Sequence, residues 1–171
     1  MRKISLIIIP LLITLSAYTQ DIVRNNIYLE LGGTAYLYSV NYEYLLSDNK
    51  DINFPIRIGV FYNFKRSSSF ANFAIPFSIS LIKKMKDDSK MYVEIKASST
   101  IAYYKKYLSL GAAHGGYYNT TYKYIPGFSL GIRRQAPNGW FYYHINMQIS
   151  YDKELSSSIV PMLGLGIGNT F

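Results

Sequence analysis

The sequence predicts an all-β protein, an antiparallel up-and-down transmembrane β-barrel of eight strands that follows an N-terminal signal peptide. Three observations predict it. The chain opens with a short basic and then apolar leader, its composition includes 18 Tyr and 9 Phe, and most of the remaining sequence divides into segments of alternating polarity. Aromatic residues favour strands, and alternation with a period of two indicates strands that bury one face.

Residues 1–20 are typical of a signal peptide. Arg2 and Lys3 precede an apolar run over 4–17. This run is shorter than the roughly 18 to 20 residues that cross a bilayer as a helix. Small residues before the polar end of the leader predict cleavage near 17–20, and an uncleaved anchor is the alternative.

The mature domain is predicted over 21–171, a length that suits one hydrophobic core. The chain contains no cysteine, so an exported protein of this sequence must be held together by burial and hydrogen bonding. A closed barrel achieves this because closure pairs every strand edge. No later segment is apolar enough for a transmembrane helix, so a membrane-embedded form must be a barrel.

Turn signals rich in Gly, Asn, Asp and Ser separate eight alternating segments. The predicted strands run about 27–33, 36–46, 55–64, 73–82, 91–104, 124–134, 140–151 and 160–171. The longest connection, 105–123, is predicted to be an outward-facing loop. The second, fourth and sixth connections are compact, which predicts that they face the periplasm together with both termini.

The parity of the later strands distinguishes a membrane barrel from a soluble one. In the last predicted strand Leu163, Leu165 and Ile167 alternate with glycines. Apolar faces of this size on nearly every segment exceed what a narrow eight-stranded interior can hold, so they are predicted to face lipid. Aromatic residues near strand ends are predicted to form interfacial girdles. These are Tyr36, Tyr38, Tyr44, Tyr62, Trp140 and Phe171.

Polar residues on the opposite parity are predicted to fill the lumen toward its periplasmic half. They are Glu30, Glu43, Arg57, Glu94, Lys96 and Arg133, which His144 joins. Three acids meet three bases, and unpaired charges in such an interior are costly. We therefore expect a salt-bridge network that plugs the lumen. A proton or ion relay, in which His144 titrates near neutral pH, is the alternative.

The net charge of +8 falls to +6 when Arg2 and Lys3 are removed with the leader. The basic residues are divided between the two sets of connections, a distribution that does not indicate nucleic-acid binding. Those on outer segments are candidates for charge-assisted hydrogen bonds to lipopolysaccharide phosphates, and solvated strand ends are the alternative. The candidates are Lys65, Arg66, Lys105 and Lys106.

A lipid A-modifying hydrolase is the enzymatic alternative. It would use His114, which lies in the long outer segment near Ser109. Acids are scarce on that side, and no pattern fixes a nucleophile to a base. The chain has no CxxC, HExxH or calcium-loop motif, and its Gly-x-Gly-x-Gly run lies within a strand. We therefore predict no catalytic residue, metal or cofactor.

Several blocks resemble successive segments of small bacterial outer-membrane β-barrel proteins. They are IYLELGGTAYLYSVNYEYLL, RIGVFYNF, AIPFSISLI, VEIKAS, YIPGFSLGIRRQAPNGWFYYHINM and PMLGLGIGNTF. Ile132, Ala136 and His144 depart from the pattern of that family. The resemblance implies an outer-membrane location and transfers no catalytic residue, since the family has no general activity. The final strand, ending in Phe171, is expected to engage the outer-membrane assembly machinery.

These observations predict a small integral outer-membrane barrel with a plugged, non-porin lumen and a structural or surface-interaction role. A loop-mediated ligand-binding or adhesion module is the alternative. A general diffusion pore is disfavoured because an eight-stranded interior has room only for side chains.

Overall fold

The computed structural model describes eight stretches of the chain. They are 24–35, 37–47, 51–63, 71–86, 90–109, 116–135, 141–152 and 158–171. For residues 106–109, 116 and 117 the structure describes the backbone alone. The predicted signal peptide, 1–20, lies outside the described residues.

The described chain consists of β-strands and one short 3₁₀ helix. The strands are β1 (Asn25–Gly32), β2 (Tyr38–Leu45), β3 (Ile52–Asn53), β4 (Pro55–Tyr62), β5 (Phe73–Lys84), β6 (Met91–Ser109), β7 (Gly116–Gln135), β8 (Tyr142–Tyr151) and β9 (Ile159–Thr170). The 3₁₀ helix, Gly33–Ala35, connects β1 to β2. No helix among the described residues is long and apolar enough to cross a membrane.

All pairings are antiparallel, and they close the sheet. The strand order is β3-β5-β4-β2-β1-β9-β8-β7-β6, and β5 also pairs with β6. Only Phe54 separates β3 from β4, and both pair with β5, so they occupy one position in the barrel. The predicted fold class, an antiparallel up-and-down barrel of eight strands, is confirmed.

The two ends of the barrel differ. At the end that we call the terminal end, Asn25 and Phe171 exchange backbone hydrogen bonds of 3.1 and 2.9 Å. The connections β2–β3, β5–β6 and β7–β8 also lie there. The connections β1–β2, β4–β5, β6–β7 and β8–β9 lie at what we call the distal end.

The segment 105–123, predicted as a loop, is mostly strand. Pairing between β6 and β7 continues from Lys105↔Thr120 to Ser109↔Gly116. The loop prediction was therefore wrong for these residues. The segment is rich in Tyr and Thr, which favour the extended conformation. Its polar residues nevertheless made it resemble a loop.

Along each strand, exposed apolar side chains alternate with buried polar ones. On β8, Met147 and Ile149 are 73% and 54% exposed, whereas Asn146 and Gln148 are 3% and 2% exposed. The same alternation occurs on strands all around the barrel, and we call the exposed apolar side chains the apolar belt. Its members include Ile27, Leu29, Val40, Ile56, Ile58, Val60, Phe77, Ile79, Ile95, Ile101, Phe128, Leu130, Ile145, Met147, Ile149, Leu163, Leu165 and Ile167. An apolar exterior around a polar interior is the arrangement of transmembrane barrels.

Candidate functional site

The barrel interior contains a cluster of buried charges, and Glu43 on β2 is its most heavily bonded acid. Arg133 donates two hydrogen bonds to it, Nη2 to Oε1 at 2.6 Å and Nη1 to Oε2 at 3.2 Å. Arg57 donates from Nη2 to Oε2 at 3.0 Å, and Asn26 donates to Oε1 at 2.6 Å. Both carboxylate oxygens are therefore satisfied by side chains from three other strands.

Glu94 on β6 is the second acid of this cluster. It lies 3.3 Å from Arg57 Nη2 and 3.7 Å from Arg133 Nη1, and Ser80 Oγ donates to it at 2.7 Å. Each arginine thus contacts Glu43 and Glu94 at the same time. Because β2, β4, β6 and β7 each contribute one of these four charges, the cluster connects non-adjacent strands across the lumen.

Glu30 on β1 is the third acid, and its Oε1 faces several donors. Lys96 Nζ lies at 3.5 Å, His144 Nε2 at 3.1 Å and Asn146 Nδ2 at 3.2 Å. Arg57 Nη1 is 4.0 Å away and connects this acid to the other two. The six predicted charges and His144 therefore form one connected group in the terminal half of the barrel, which we call the lumen network.

His144 has a partner at each ring nitrogen. Its Nε2 lies 3.1 Å from Glu30 Oε1, and its Nδ1 lies 2.8 Å from Tyr142 Oη. A neutral imidazole protonated at Nε2 satisfies both contacts, because the carboxylate accepts from Nε2–H and the hydroxyl donates to Nδ1. With His144 neutral, three acids balance three bases.

The rings of two buried tyrosines lie against the guanidinium groups of the two arginines. The guanidinium carbon of Arg57 lies 4.9 Å from the ring centroid of Tyr28, and that of Arg133 lies 5.0 Å from the ring of Tyr142. The two rings are 4.9 Å apart. This role could not be predicted from the sequence, because nothing distinguishes these two tyrosines from the other 16 in the chain.

Inward glycines make room for the network. A Cβ added at Gly166 would lie 2.2 Å from His144 Cε1, and one added at Gly164 would lie 2.6 Å from Asn146 Oδ1. Within the Gly-x-Gly-x-Gly run of β9, Gly164 and Gly166 therefore leave the space that side chains of β8 fill. This agrees with its interpretation as small lumen-facing residues.

An apolar layer lies in the distal half of the interior, beside buried polar side chains. It contains Ala35, Phe61, Ala71, Ala74, Ala102 and Ile125. The 3₁₀ helix folds into this layer, where Thr34 donates to Gln148 Oε1 at 3.2 Å and its carbonyl accepts from Thr100 Oγ1 at 2.7 Å. Gly32 and Gly33 make the turn with φ of 70° and 66°. The predicted strands 27–33 and 36–46 leave a connection of two residues, and its inward course was not predicted from the sequence. The glycine pair is the available signal.

The predicted aromatic girdle is only partly within the described residues. Tyr44 and Tyr62 are 37% and 53% exposed on the outer surface. Tyr38 instead packs on Phe61 with ring centroids 5.1 Å apart, next to the apolar layer, and its hydroxyl donates to the Tyr62 carbonyl. Phe171 is half-buried. Tyr36 and Trp140 lie outside the described residues.

Of the predicted surface cations, Lys105 is exposed, and its Nζ lies 4.2 Å from the ring centroid of Tyr118. Lys65 and Arg66 lie outside the described residues, as does the side chain of Lys106. The enzymatic candidate His114 is also outside them. Within the described part of the chain, no group of three His, Cys, Asp or Glu side chains has the spacing of a metal site.

Comparison with known proteins gives fold-level similarity. No protein-family model and no curated protein matches the sequence. The N-terminal β-barrel domain of Pseudomonas aeruginosa OprF aligns with a TM-score of 0.54 and 16% identity, covering 89% of this chain and 98% of that domain. In fold, this chain is similar to the OprF barrel. Neisserial surface protein A (NspA) aligns with a TM-score of 0.47 and 13% identity, covering 87% of this chain and 96% of that protein.

Proposed function

We propose that this protein is a small integral outer-membrane β-barrel with a plugged, non-porin lumen and a structural or surface-interaction role. The apolar belt carries the proposal. Most of its members are about half exposed, and they occur on every long strand. In water such a surface would drive aggregation, whereas lipid-facing strands require it.

Two layers support the plugged lumen. The lumen network occupies the terminal half, with Glu43, Arg133 and Lys96 each 0% exposed. The apolar layer and the 3₁₀ helix occupy the distal half. An aqueous path would have to cross both layers, and an eight-stranded interior has no spare width.

The proposed topology places the terminal end in the periplasm and the distal end outside the cell. It assumes export with a signal peptide cleaved near 17–20 and recognition of the strand ending in Phe171 by the outer-membrane assembly machinery. The compact connections at the terminal end support this orientation, because periplasmic turns of such barrels are short. Mass measurement of the mature N-terminus tests the cleavage site.

Membrane fractionation combined with heat-modifiable gel migration tests the main proposal. We expect the protein in the outer-membrane fraction, migrating as a compact species unless it is boiled. A soluble protein with one migration position would refute the membrane assignment. Steady single-channel currents from the purified protein would refute the plugged lumen.

We also propose that the role is not enzymatic. The interior acids are all engaged with cations or amides, and the only other described candidate acid near the distal end, Asp152, lies 3.6 Å from Lys123. A lipid-deacylation assay on purified protein, with His114→Ala as control, tests this. A deacylation rate above background that disappears in this variant would refute it.

A further inference from the structure

The distal end carries a two-stranded ribbon that projects past the barrel. Pairing of β6 with β5 ends at Phe73↔Tyr103, and described pairing of β7 with β8 ends at Gly127↔Ser150. Pairing of β6 with β7 continues for six more residues, to Ser109↔Gly116. At about 3.3 Å per residue, the ribbon extends roughly 20 Å along the strand direction beyond the last β5 pair.

The outward face of this ribbon continues the apolar belt. Ile101 and Phe128 belong to the belt at 46% and 54% exposure. On β6 the same parity places Tyr103 two residues after Ile101. On β7 it places Tyr124 and Tyr122 four and six residues before Phe128. Tyr124 and Tyr122 are 65% and 73% exposed. The surface therefore becomes rich in tyrosine where the barrel ends.

Contacts between neighbours hold this face in place. Tyr103 and Tyr122 lie opposite each other with ring centroids 5.2 Å apart. Lys105 follows, with its Nζ 4.2 Å from the ring of Tyr118, which is 52% exposed. The rings and the ammonium group thus contact one another without a ligand, and contacts made before binding reduce its entropy cost.

The charge of this face is positive. The ribbon sequence, 103–109 and 116–126, contains no Asp or Glu. On the opposite, inward face Lys123 pairs with Asp152 at 3.6 Å. Among the described residues no carboxylate pairs with Lys105, so its charge is available to an anion from outside the barrel.

We propose that the outward face of the ribbon, formed by Tyr103, Lys105, Tyr118, Tyr122 and Tyr124, binds the phosphorylated sugar headgroup of a glycolipid in the surrounding membrane. Sugar rings stack by their C–H faces on exposed aromatic rings, and a lysine ammonium group forms charge-assisted hydrogen bonds with phosphate. This inference rests on the proposed membrane insertion.

The position of this face, next to the apolar belt, favours a lipid headgroup as the ligand. Because the face is continuous with the apolar belt, its ligand has to be reachable from the lipid phase, which favours a lipid headgroup over a soluble anion. A second copy docked on this face would bring together two surfaces that carry lysine and no carboxylate, which like-charge repulsion opposes. A glycolipid supplies acyl chains for the belt, sugars for the tyrosines and phosphate for the lysine.

Binding to the purified, folded full-length mature chain in detergent tests the proposal. The probes are lipopolysaccharide with a bisphosphorylated lipid A, the same lipopolysaccharide after enzymatic dephosphorylation, and phosphatidylglycerol. We expect Lys105→Gln with Tyr122→Ser to weaken binding of the phosphorylated probe about tenfold or more, in line with the loss of one charge-assisted contact and one stacking ring. Dephosphorylation should weaken wild-type binding similarly, and phosphatidylglycerol should bind less tightly than the phosphorylated probe.

Lys123→Gln is the matched control, because it removes a lysine from the other face of the same ribbon. We expect it to leave binding within about twofold. Equal binding by the wild type and the Lys105/Tyr122 double variant would overturn the proposal, as would equal affinity for phosphatidylglycerol. Concentration-dependent dimerisation abolished by the double variant would make the face a self-interface and also overturn it. Heat-modifiable migration of every variant separates these results from failure of membrane insertion.

Discussion

Arg133 on β7 and Glu43 on β2 form a two-point contact across the lumen, with hydrogen bonds of 2.6 and 3.2 Å, although 90 positions separate them in sequence. Both side chains are 0% exposed. A planar guanidinium group facing a carboxylate fixes orientation as well as distance. The contact therefore restrains two strands that share no backbone hydrogen bonds.

Glu43→Gln is predicted to destabilise the folded barrel strongly, because it leaves Arg133 and Arg57 with excess buried positive charge. Breaking one partner of a buried ion pair costs about 3–5 kcal/mol. Urea unfolding of the protein refolded into lipid vesicles measures the change in unfolding free energy.

The double variant Glu43→Gln with Arg133→Met serves as the control. It removes one buried charge of each sign, so we expect its unfolding free energy to lie closer to that of the wild type than that of Glu43→Gln alone. A Glu43→Gln variant as stable as the wild type would show that the lumen network does not contribute to stability.

Gly166→Ala is predicted to overpack the interior. The added Cβ would lie 2.2 Å from His144 Cε1 and 2.5 Å from Nδ1, so the imidazole must move and its contacts with Glu30 and Tyr142 must change. Overpacking of this kind costs about 1–3 kcal/mol. In a His144→Ala background the same substitution should cost less, since the clashing ring is gone. Equal costs in both backgrounds, measured by unfolding in vesicles, would contradict this packing.

Much of the fold could be predicted from the sequence because a strand with one face in lipid and one in the lumen alternates in polarity over many residues. The alternation of Leu163, Leu165 and Ile167 with glycines on β9 is an example. The same parity assigned Glu30 and Arg133 to one face. It could not show that Arg133 reaches Glu43, because that contact depends on register around the whole barrel.

Two features of the fold could not be predicted from the sequence, and the reasons are physical. The 3₁₀ helix turns inward because Gly32 and Gly33 adopt positive φ, which a pattern of polarity does not encode. The ribbon was missed because polar residues such as Asn119 and Thr120 resemble a loop, whereas pairing with β6 makes them a strand. The polarity of a residue indicates whether its side chain meets water. It does not indicate whether the backbone pairs with another strand, because that depends on residues elsewhere in the chain.

Gly32→Ala is predicted to destabilise the inward turn. Its φ of +70° is strained for a residue with a side chain, and the new Cβ would lie 2.2 Å from the Leu163 carbonyl oxygen. A strained backbone position of this kind costs roughly 1–3 kcal/mol. Gly127→Ala is the control, because its Cβ would meet only side-chain atoms of Ser98, Gln148 and Ser150, at 3.0 to 3.1 Å. Unfolding in vesicles should rank Gly32→Ala as the more destabilising, and the reverse order would contradict the importance of the turn.

Comparison of two single variants, Met147→Lys and Tyr122→Lys, tests whether lipid or water surrounds the barrel. Both residues are 73% exposed, but Met147 lies within the apolar belt and Tyr122 lies where the ribbon begins. A lysine on the lipid face near the bilayer midplane costs about 2–4 kcal/mol, and this cost falls to about 0–1 kcal/mol near the interfaces. We therefore expect Met147→Lys to lower the unfolding free energy in vesicles by several times more than Tyr122→Lys. In a protein surrounded by water, two equally exposed positions would tolerate lysine equally, so equal effects would refute the lipid-facing role of the belt.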